Sequence, residues 1–307
     1  MGRIVSVVGP TASGKTALSV AIAKKLSAEI VSVDSMQIYR KMDIGTAKAT
    51  PEEQDGIVHH MIDCMEPTEN CSVQKFVRAA RTAVNDILFR GKNCVLAGGT
   101  GLYIDHLISD TQFVDVPTDA ALREQLNALE GKQLYEQLMQ ADPACCEKLH
   151  PNDKKRIVRA LEIIKLTGKS IRYWEALSHQ GSQPLDVLMI GLNFADRAVL
   201  YERIDRRVDI MIRDGLVDEV RSLMQLDGFL TSTACDGIGY REIVSYLSGD
   251  CSLETATELI KKNTRHYAKR QLTWFRRNPD IHWIEMQAQS TSDDILKQAM
   301  QIIERNS

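Results

Sequence analysis

The first hundred residues alternate short apolar runs with longer segments whose apolar residues recur every three or four positions. The runs at 4–8 and 29–33 are rich in Val and Ile, and a third apolar run lies at 94–97, which is typical of buried strands in a parallel sheet. Apolar residues with helical spacing occur at 15–26 and again at 72–90. This alternation predicts an α/β fold, with a mostly parallel sheet covered by helices on both faces.

The pattern changes after residue 112. Strand signals vanish between Pro117 and Leu185 while helical spacing continues, so we predict an all-helical insertion over 113–184. The core then comprises 1–112 and 185–307. Its later predicted elements are a strand at 187–192, long helical patterns at 196–226 and 252–275, a strand at 281–284 and a final helix near 292–304.

Composition narrows the class of protein. The chain has 307 residues, of which 44% are hydrophobic, enough for one large domain or two modest ones. Its seven cysteines are scattered without a C-x-x-C pair, which argues against a disulfide framework and a cysteine metal site. No apolar run approaches the ~18 residues of a membrane span, and the chain enters a strand at once without a visible signal peptide. We therefore expect a cytoplasmic protein, and we expect it to be a monomer.

A glycine-rich loop lies between the first predicted strand and the first predicted helix. It reads Gly9, Pro10, Thr11, Ala12, Ser13, Gly14, Lys15 and Thr16, matching the phosphate-loop pattern G-x-x-x-x-G-K-[ST]. In such loops, backbone N–H groups and the helix N-terminus bind phosphate oxygens. Lys15 adds a positive charge, and the Thr16 hydroxyl is a candidate Mg²⁺ ligand. The sequence therefore predicts a P-loop NTPase-like core that binds a phosphate group.

Two further motifs follow predicted strands. Asp34 comes directly after the strand at 29–33, and Gly98-Gly-Thr-Gly follows the strand at 94–97. Because ligands in open α/β sheets bind beyond the carboxyl ends of strands, we expect Asp34 to face the phosphate loop. Asp34 can act as a general base, ligate Mg²⁺ or cap a turn, and the glycines either let a ligand approach the backbone or form a tight turn. Neither strand end provides a convincing Walker B motif, which counts against a motor ATPase.

Basic residues cluster in three predicted helices, although the net charge of the chain is −3. The clusters lie at 150–159, 201–213 and 261–277. Lys155 and Arg159 are four residues apart and share one helix face. The third cluster interleaves cations with aromatic residues, which suits a nucleic-acid backbone with splayed bases. A solvated basic surface remains the alternative for any one helix, but three such helices in an acidic chain favour RNA binding.

Five segments together resemble the bacterial tRNA dimethylallyltransferases. They are GPTASGKT at 9–16, DSMQIYRKMDIGTAK at 34–48, GGTGLY at 98–103, HPNDKKRIVRALEI at 150–163 and YAKRQLTWFRR at 267–277. The resemblance runs from end to end with the segments in order. Two small departures are Ala49, where the family usually has Pro, and Cys71, where an aromatic residue is common.

The resemblance implies transfer of a dimethylallyl group from dimethylallyl diphosphate to N6 of the adenosine 3′-adjacent to the anticodon in tRNA. Asp34 would then be the general base, Thr100 would contact the target nucleotide, and Lys15 would act on the diphosphate. Residues Gly9 to Thr16 and Arg221 would bind the diphosphate, with Mg²⁺ held at Thr16.

The implied RNA partner is the anticodon stem-loop of a tRNA. The family's tRNA-contacting positions correspond here to Asp34, Ser35, Met36, Gln37, Thr100, Arg123, Lys155, Arg156, Ile157, Val158 and Arg159. Arg123 is the weaker correspondence among them.

Other activities share the phosphate loop. A small-molecule kinase would use Asp34 as its base, and an RNA-binding NTPase switch would use the loop without transferring a group. A related transferase acting on free adenine nucleotides is a closer variant, but it would not need the basic helices. Because the loop recognises phosphate oxygens rather than the group they carry, we also expect weak ATP binding.

Overall fold

One parallel sheet organises the larger part of the protein in the computed structural model, which describes residues 2–147, 149–178 and 180–306. Its strands within these residues are β1 Ile4–Val8, β2 Ala28–Val33, β3 His59–His60, β4 Asn93–Gly98, β5 Val187–Phe194 and β6 His282–Met286. Their order across the sheet is β3-β2-β4-β1-β5-β6, and every neighbouring pair is parallel. The predicted α/β class with a mostly parallel, P-loop-like sheet is confirmed.

Helices cover the sheet and also form a separate group. They are α1 Lys15–Leu26, α2 Pro51–Gln54, α3 Val73–Phe89, α4 Gly101–Ile108, α5 Ala120–Asn127, α6 Gly131–Ala141, α7 Pro143–Cys146, α8 Lys154–Thr167, α9 Ile171–Ser178, α10 Arg197–Arg213, α11 Leu216–Leu223, α12 Tyr240–Leu247, α13 Leu253–Phe275 and α14 Ser292–Arg305. A single 3₁₀ turn at Phe229–Thr231 is also present among the described residues.

Two details of the predicted elements are wrong. The helical pattern at 196–226 forms two helices, α10 and α11, because Gly215 between them adopts a φ of 106°, which ends a right-handed helix. The strand β3 was not predicted, since two residues are too short for a periodic signal and β3 gains its hydrogen bonds from β2.

The chain divides into two compact units. The core unit comprises residues up to 108 and from 185 onward, and the helical unit comprises 109–184. The helical unit contains α5 to α9 around its own apolar cluster, which consists of Leu126, Leu134, Leu138, Cys145, Cys146, Ile157, Val158, Ala160 and Leu161. The sequence placed the first junction a few residues later, at 112. The junction coincides with the end of α4 at Ile108.

The centre of the sheet is buried on both faces, as expected for parallel strands between helices. Every residue of β1 and β2 is buried. The apolar core on one side joins β1 and β5 to α1, α10 and α14 through residues such as Ile22, Ile204 and Ile303. Across the described ranges, no helix has both the length and the apolar composition that a membrane span requires.

Candidate active site

The register of the strands places the starts of three loops of the core unit together at the carboxyl ends of the strands. Val8, the last residue of β1, pairs with Gly98, the last residue of β4. Gly98 also pairs with Val33, the last residue of β2. The phosphate loop, the Asp34 loop and the loop after β4 therefore begin side by side at the carboxyl edge. β1 lies between β4 and β5, so the strand order reverses beside it. Open α/β sheets bind ligands at the carboxyl ends of the strands next to such a reversal.

The phosphate loop has the backbone shape that its glycines allow. Gly9 has a φ of 146°, and a Cβ there would lie 2.6 Å from the carbonyl oxygen of Leu192. Gly14 has a φ of 90° and forms the N-cap of α1. The first turn of α1 contains no acidic side chain, so its N-terminal N–H groups and positive dipole end are uncompensated. This arrangement suits an anion.

Lys15 folds back over the phosphate loop, where its Nζ donates a hydrogen bond to the carbonyl oxygen of Pro10 at 2.7 Å. The pKa of Lys15 is lowered to about 8, first by desolvation and then by the positive charge of Arg207, while Asp34 opposes the shift. Two cations held together out of water destabilise each other, and a bound anion removes that penalty. The site is thus electrostatically prepared for a phosphate group.

Asp34 begins a tight turn at the end of β2. Its Oδ1 accepts hydrogen bonds from the backbone N–H groups of Met36 at 2.8 Å and Gln37 at 3.3 Å. The Oγ1 of Thr100 accepts a hydrogen bond from the N–H of Ser35 at 3.3 Å, which ties this turn to the loop after β4. No hydrogen bond from a described residue reaches Oδ2 of Asp34, so one carboxylate oxygen holds the turn and the other is available for chemistry.

Arg207 on α10 is the functional candidate that sequence reasoning missed. It makes no hydrogen bond or ion pair with any described residue, although it lines the cavities around both Asp34 and the phosphate loop. Burial lowers its pKa, and the carboxylates of Asp34 and Glu53 oppose that shift. The basic cluster at 201–213 was a signal for it, but the helical pattern alone did not distinguish Arg207 from its exposed neighbours.

The glycines after β4 serve helix packing. A Cβ on Gly99 would lie 2.2 Å from Nε2 of Gln271, and a Cβ on Gly101 would lie 2.2 Å from Cδ1 of Trp274. Both side chains belong to α13. Packing against α13 therefore accounts for the absence of a side chain at these two glycines, because α13 already fills the space that a side chain would occupy.

Two adjoining cavities of about 330 and 710 Å³ lie in the core unit. The larger contains the phosphate loop, including Ser13, Lys15 and Thr16. The smaller has an apolar wall that includes Ile204 and Ile260. The residues that line both are Thr11, Asp34, Thr46, Ala47, Arg207, Met211 and Tyr267. The cavity at the phosphate loop therefore continues past Asp34 into a second cavity that has apolar side chains on one wall.

A sequence profile of the family described as IPP transferase matches residues 37–278. The tRNA dimethylallyltransferase of Caldanaerobacter subterraneus subsp. tengcongensis is 46% identical over 298 residues, which cover 95% of each chain. The chain belongs to the IPP transferase family. Membership makes it a prenyltransferase enzyme, as the sequence resemblance implied. A second relative, the tRNA dimethylallyltransferase of Thermoanaerobacter sp., is 48% identical over 92% of this chain and 91% of its own length.

Solved structures of the family share the fold of this IPP transferase. A tRNA isopentenylpyrophosphate transferase from Bacillus halodurans is 42% identical with a TM-score of 0.75, covering 99% of this chain and 96% of its own. A eukaryotic dimethylallyltransferase, described as acting on tRNA, is 27% identical with a TM-score of 0.80, covering 99% of this chain and 80% of its own.

One predicted diphosphate ligand of this IPP transferase lies elsewhere in the structure. Arg221 is exposed on α11 and forms an ion pair with Asp218 one turn earlier. In the described part of the chain, it is not among the residues that line either cavity. Arg207, in contrast, lines both cavities and its charge acts on Lys15, while the assignment of Arg221 to the diphosphate stays a prediction.

The residues predicted to contact tRNA from the helical unit separate into exposed and anchored side chains. Lys155 and Arg156 are exposed on α8. Ile157 and Val158 are buried in the apolar cluster of the helical unit. Their side chains pack inside the unit in this conformation, and the predicted tRNA contact of these two residues stays a prediction.

Arg123 and Arg159 both bind the buried carboxylate of Glu162. The shortest N–O distances are 2.9 Å for Arg123 and 2.7 Å for Arg159, and the Glu162 side chain has no exposed surface. Arg159 also donates to the carbonyl oxygen of Pro117 at 3.1 Å. Burial raises the pKa of Glu162, but the two arginines and the backbone N–H of Asp119 together outweigh it and hold that pKa below its ordinary value. These cations have a structural task inside the helical unit.

Replacing Arg159 with Ala should destabilise the helical unit, because Glu162 then keeps only one arginine. We expect the free energy of unfolding to fall by about 1–3 kcal/mol, the range for a hydrogen bond to a charged group. Lys155→Ala is the matched control on the same helix and should change it by less than about 0.5 kcal/mol. Denaturant unfolding followed by circular dichroism measures both.

The pH dependence of the Arg159 effect has a defined sign. Because the folded pKa of Glu162 is lowered, its ion pairs stabilise the fold fully above the ordinary glutamate pKa of about 4.3. That contribution is lost as the pH falls through the folded pKa. The difference between Arg159→Ala and the unaltered protein should therefore shrink under acid conditions, and equal stability of Arg159→Ala and Lys155→Ala at pH 7 would contradict the structural role.

Proposed function

We propose that this IPP transferase moves a dimethylallyl group from dimethylallyl diphosphate to N6 of the adenosine 3′-adjacent to the anticodon in tRNA, releasing diphosphate. The observation that carries the proposal is the continuity of the two cavities, with Asp34 and Arg207 lining both. A charged diphosphate suits the phosphate loop in the larger cavity, and an apolar five-carbon group suits the Ile204 and Ile260 wall of the smaller one. The names of the relatives, tRNA dimethylallyltransferases, support the donor and the acceptor.

The proposed reaction is a displacement at the first carbon of the dimethylallyl group. The lone pair of N6 forms the new C–N bond while the bond from that carbon to the diphosphate oxygen breaks, and its electron pair leaves with the diphosphate. N6 also loses one proton, which Oδ2 of Asp34 accepts. A base is needed because the amino lone pair of adenine is delocalised into the ring, and proton removal during attack strengthens the nucleophile.

Charge on the departing diphosphate is the second requirement of the proposed reaction. Lys15, the N–H groups of the phosphate loop and the N-terminus of α1 are preorganised donors for it. Arg207 adds a guanidinium that makes no hydrogen bond or ion pair with the described residues, although the charges of Asp34 and Glu53 act on it. Fixed cations in a partly desolvated cavity stabilise developing negative charge without reorganising, and this effect supplies much of the rate enhancement in many enzymes.

Mg²⁺ is the cofactor that we propose, with the Thr16 hydroxyl as its ligand from the protein. Within the described residues, no group of three His, Cys, Asp or Glu side chains is arranged to hold a metal ion. This sparse donor set fits Mg²⁺, which keeps several waters and binds mainly through substrate phosphates. The buried Oγ of Ser13 lacks a hydrogen-bond partner and lines the same cavity, ready for a ligand oxygen. When bound, the ion supplies positive charge to the leaving group.

For the RNA partner, we propose the anticodon stem-loop of tRNA. The exposed Lys155 and Arg156 on α8 are the phosphate-binding candidates of the helical unit. In the core unit, Ser35 and Met36 line the smaller cavity beside Asp34, where the target nucleotide would enter. The adenosine must leave its stack to reach Asp34, which costs a few kcal/mol and less in a loop than in a duplex.

Incubating unmodified tRNA with the protein, Mg²⁺ and dimethylallyl diphosphate should produce N6-dimethylallyladenosine. Mass spectrometry of the digested nucleosides detects it, and sequencing of the modified fragment locates it. Phosphate release from ATP is followed in parallel with the same tRNA. Rapid ATP hydrolysis without a prenylated nucleoside would favour the kinase or NTPase-switch alternatives.

Asp34→Asn should abolish transfer while tRNA binding stays within a few-fold. Asn retains the Oδ1 that accepts the N–H groups of Met36 and Gln37, so the turn is preserved. Its amide cannot take the proton, and loss of a general base lowers rates by about 10²–10⁴-fold. Single-turnover kinetics give the rate and filter binding gives the tRNA affinity. A variant that retains half of the rate would exclude Asp34 as the base.

Arg207→Gln should lower kcat/KM for the donor by about 10–1000-fold, since it removes a cation from the diphosphate site. Arg221→Gln is the matched control, because Arg221 is exposed and lies outside the described linings of both cavities. Its kcat/KM should change by less than about 3-fold. Steady-state kinetics with varied donor distinguish the two arginines, and the reverse ranking would restore Arg221 as the diphosphate ligand.

A further inference from the structure

One buried side chain joins the two loops that the proposed reaction must align. Gln271 of α13 is 5% exposed. Its Oε1 accepts a hydrogen bond from the backbone N–H of Thr11 at 2.8 Å, and its Nε2 donates to the carbonyl oxygen of Gly99 at 2.9 Å. Thr11 belongs to the phosphate loop, and Gly99 immediately precedes Thr100. A single amide therefore connects the donor side of the site to the acceptor side.

The residues around Gln271 restrict the position of its side chain, which bridges the two loops. The absence of a side chain on Gly99 gives Nε2 its approach, since a Cβ there would lie 2.2 Å away. One turn earlier on α13, Tyr267 lines both cavities. Three residues later, Trp274 packs on Gly101 and donates its indole N–H to Asp105 at 2.9 Å. Positions 267, 271 and 274 share one face of α13. On this face, Gln271 binds Gly99 of the loop after β4, and Trp274 packs on Gly101 at the start of α4.

We propose that Gln271 is a positioning residue that sets the distance between the leaving group and the nucleophile. The inference rests on the proposed function, in which the phosphate loop holds the diphosphate while Asp34 and Thr100 hold the adenosine. Gln271 also lines the larger cavity, but backbone groups already engage both ends of its amide, so we assign it no contact with a reacting atom. It acts through the backbone of Thr11 and Gly99, each fixed by one hydrogen bond to the same planar amide.

Alignment of this kind affects the rate of the chemical step more than the binding of either substrate. Each substrate keeps its own loop when the bridge is lost, so its affinity is largely retained. The two loops can then shift relative to each other, and a misplacement of about 1 Å costs about 10²-fold in rate. A positioning role therefore predicts a fall in kcat with little change in KM.

Gln271→Met tests the bridge, because Met is similar in length and can make neither hydrogen bond. We expect kcat to fall by about 10–100-fold, with KM for donor and for tRNA within about 3-fold of the unaltered enzyme. Hydrogen exchange measured by NMR should show faster exchange of the Thr11 amide. The second readout does not depend on catalysis.

Asn93→Leu is the matched control. The Asn93 side chain also accepts from a backbone N–H, that of Arg3 at 2.8 Å, and donates to a backbone carbonyl, that of Leu26 at 2.7 Å. Asn93 is the first residue of β4, so it lies at the amino ends of the strands, whereas the site lies at their carboxyl ends. Its loss should reduce thermal stability but leave kcat within about 2-fold, so a general effect of removing a bridging amide is measured separately.

Gln271→Glu adds a test that depends on pH. The ionised carboxylate can accept from Thr11 but cannot donate to Gly99, whereas the protonated carboxyl group can do both. The kcat of this variant, divided by that of the unaltered enzyme at the same pH, should therefore rise as the pH falls. A ratio that does not change with pH would overturn the role of the bond to Gly99.

Four further results would overturn the positioning role of Gln271, the bridge itself or the proposed function. A kcat of Gln271→Met within 2-fold of the unaltered value would overturn the positioning role, and an unchanged Thr11 amide would overturn the bridge itself. A rise in donor KM alone would assign Gln271 to donor binding instead. If the unaltered protein transfers no prenyl group, the proposed function fails, while the exchange of the Thr11 amide still reports whether the bridge exists.

Discussion

The parallel register of β1, β2 and β4 is the constraint on which the site depends. Val8, Val33 and Gly98 end these strands at the same level of the sheet. The loops after β1 and β2 therefore each start one strand spacing, about 4.8 Å, from the loop after β4 that lies between them, whatever their sequences. Buried apolar packing on both faces of the strands keeps this register, since a slip by one residue would turn every side chain to the opposite face. The polar and charged side chains at the carboxyl ends of the strands are thus positioned by an apolar core to which they do not belong.

Electrostatics at this edge favour a ligand of negative charge. Lys15 and Arg207 lie close enough for the arginine to lower the proton affinity of the lysine, and Asp34 compensates both cations in part. A protein gains nothing in stability from a desolvated arginine without a hydrogen-bond partner. Such an arrangement is expected where a ligand completes it, and perturbed groups of this kind concentrate at functional sites. The phosphate loop and Arg207 come from distant parts of the chain and line the same cavity.

The helical unit uses its cations in two different ways. Arg123 and Arg159 neutralise Glu162, whose side chain is fully enclosed. Lys155 and Arg156 are exposed to solvent. Arg159 belongs to the same sequence motif as these two exposed cations, so a count of basic residues overstates the charge available to RNA. The buried carboxylate also connects α5 to α8, which gives the unit a polar anchor beside its apolar cluster.

The sequence by itself determined the fold class, the phosphate loop and the family, because strand and helix periodicity and the spacing of Gly9, Gly14 and Lys15 are local properties of the chain. It also placed Asp34 at a strand end. Tertiary structure alone decided that Arg207 lines the two cavities whereas Arg221 does not, since residues 14 positions apart on successive helices can face any direction. Likewise, the glycines of the loop after β4 suggested open space, and only the packing of α13 revealed that Gln271 and Trp274 fill it. Side-chain partners distant in sequence depend on how elements pack, and no local pattern encodes that packing.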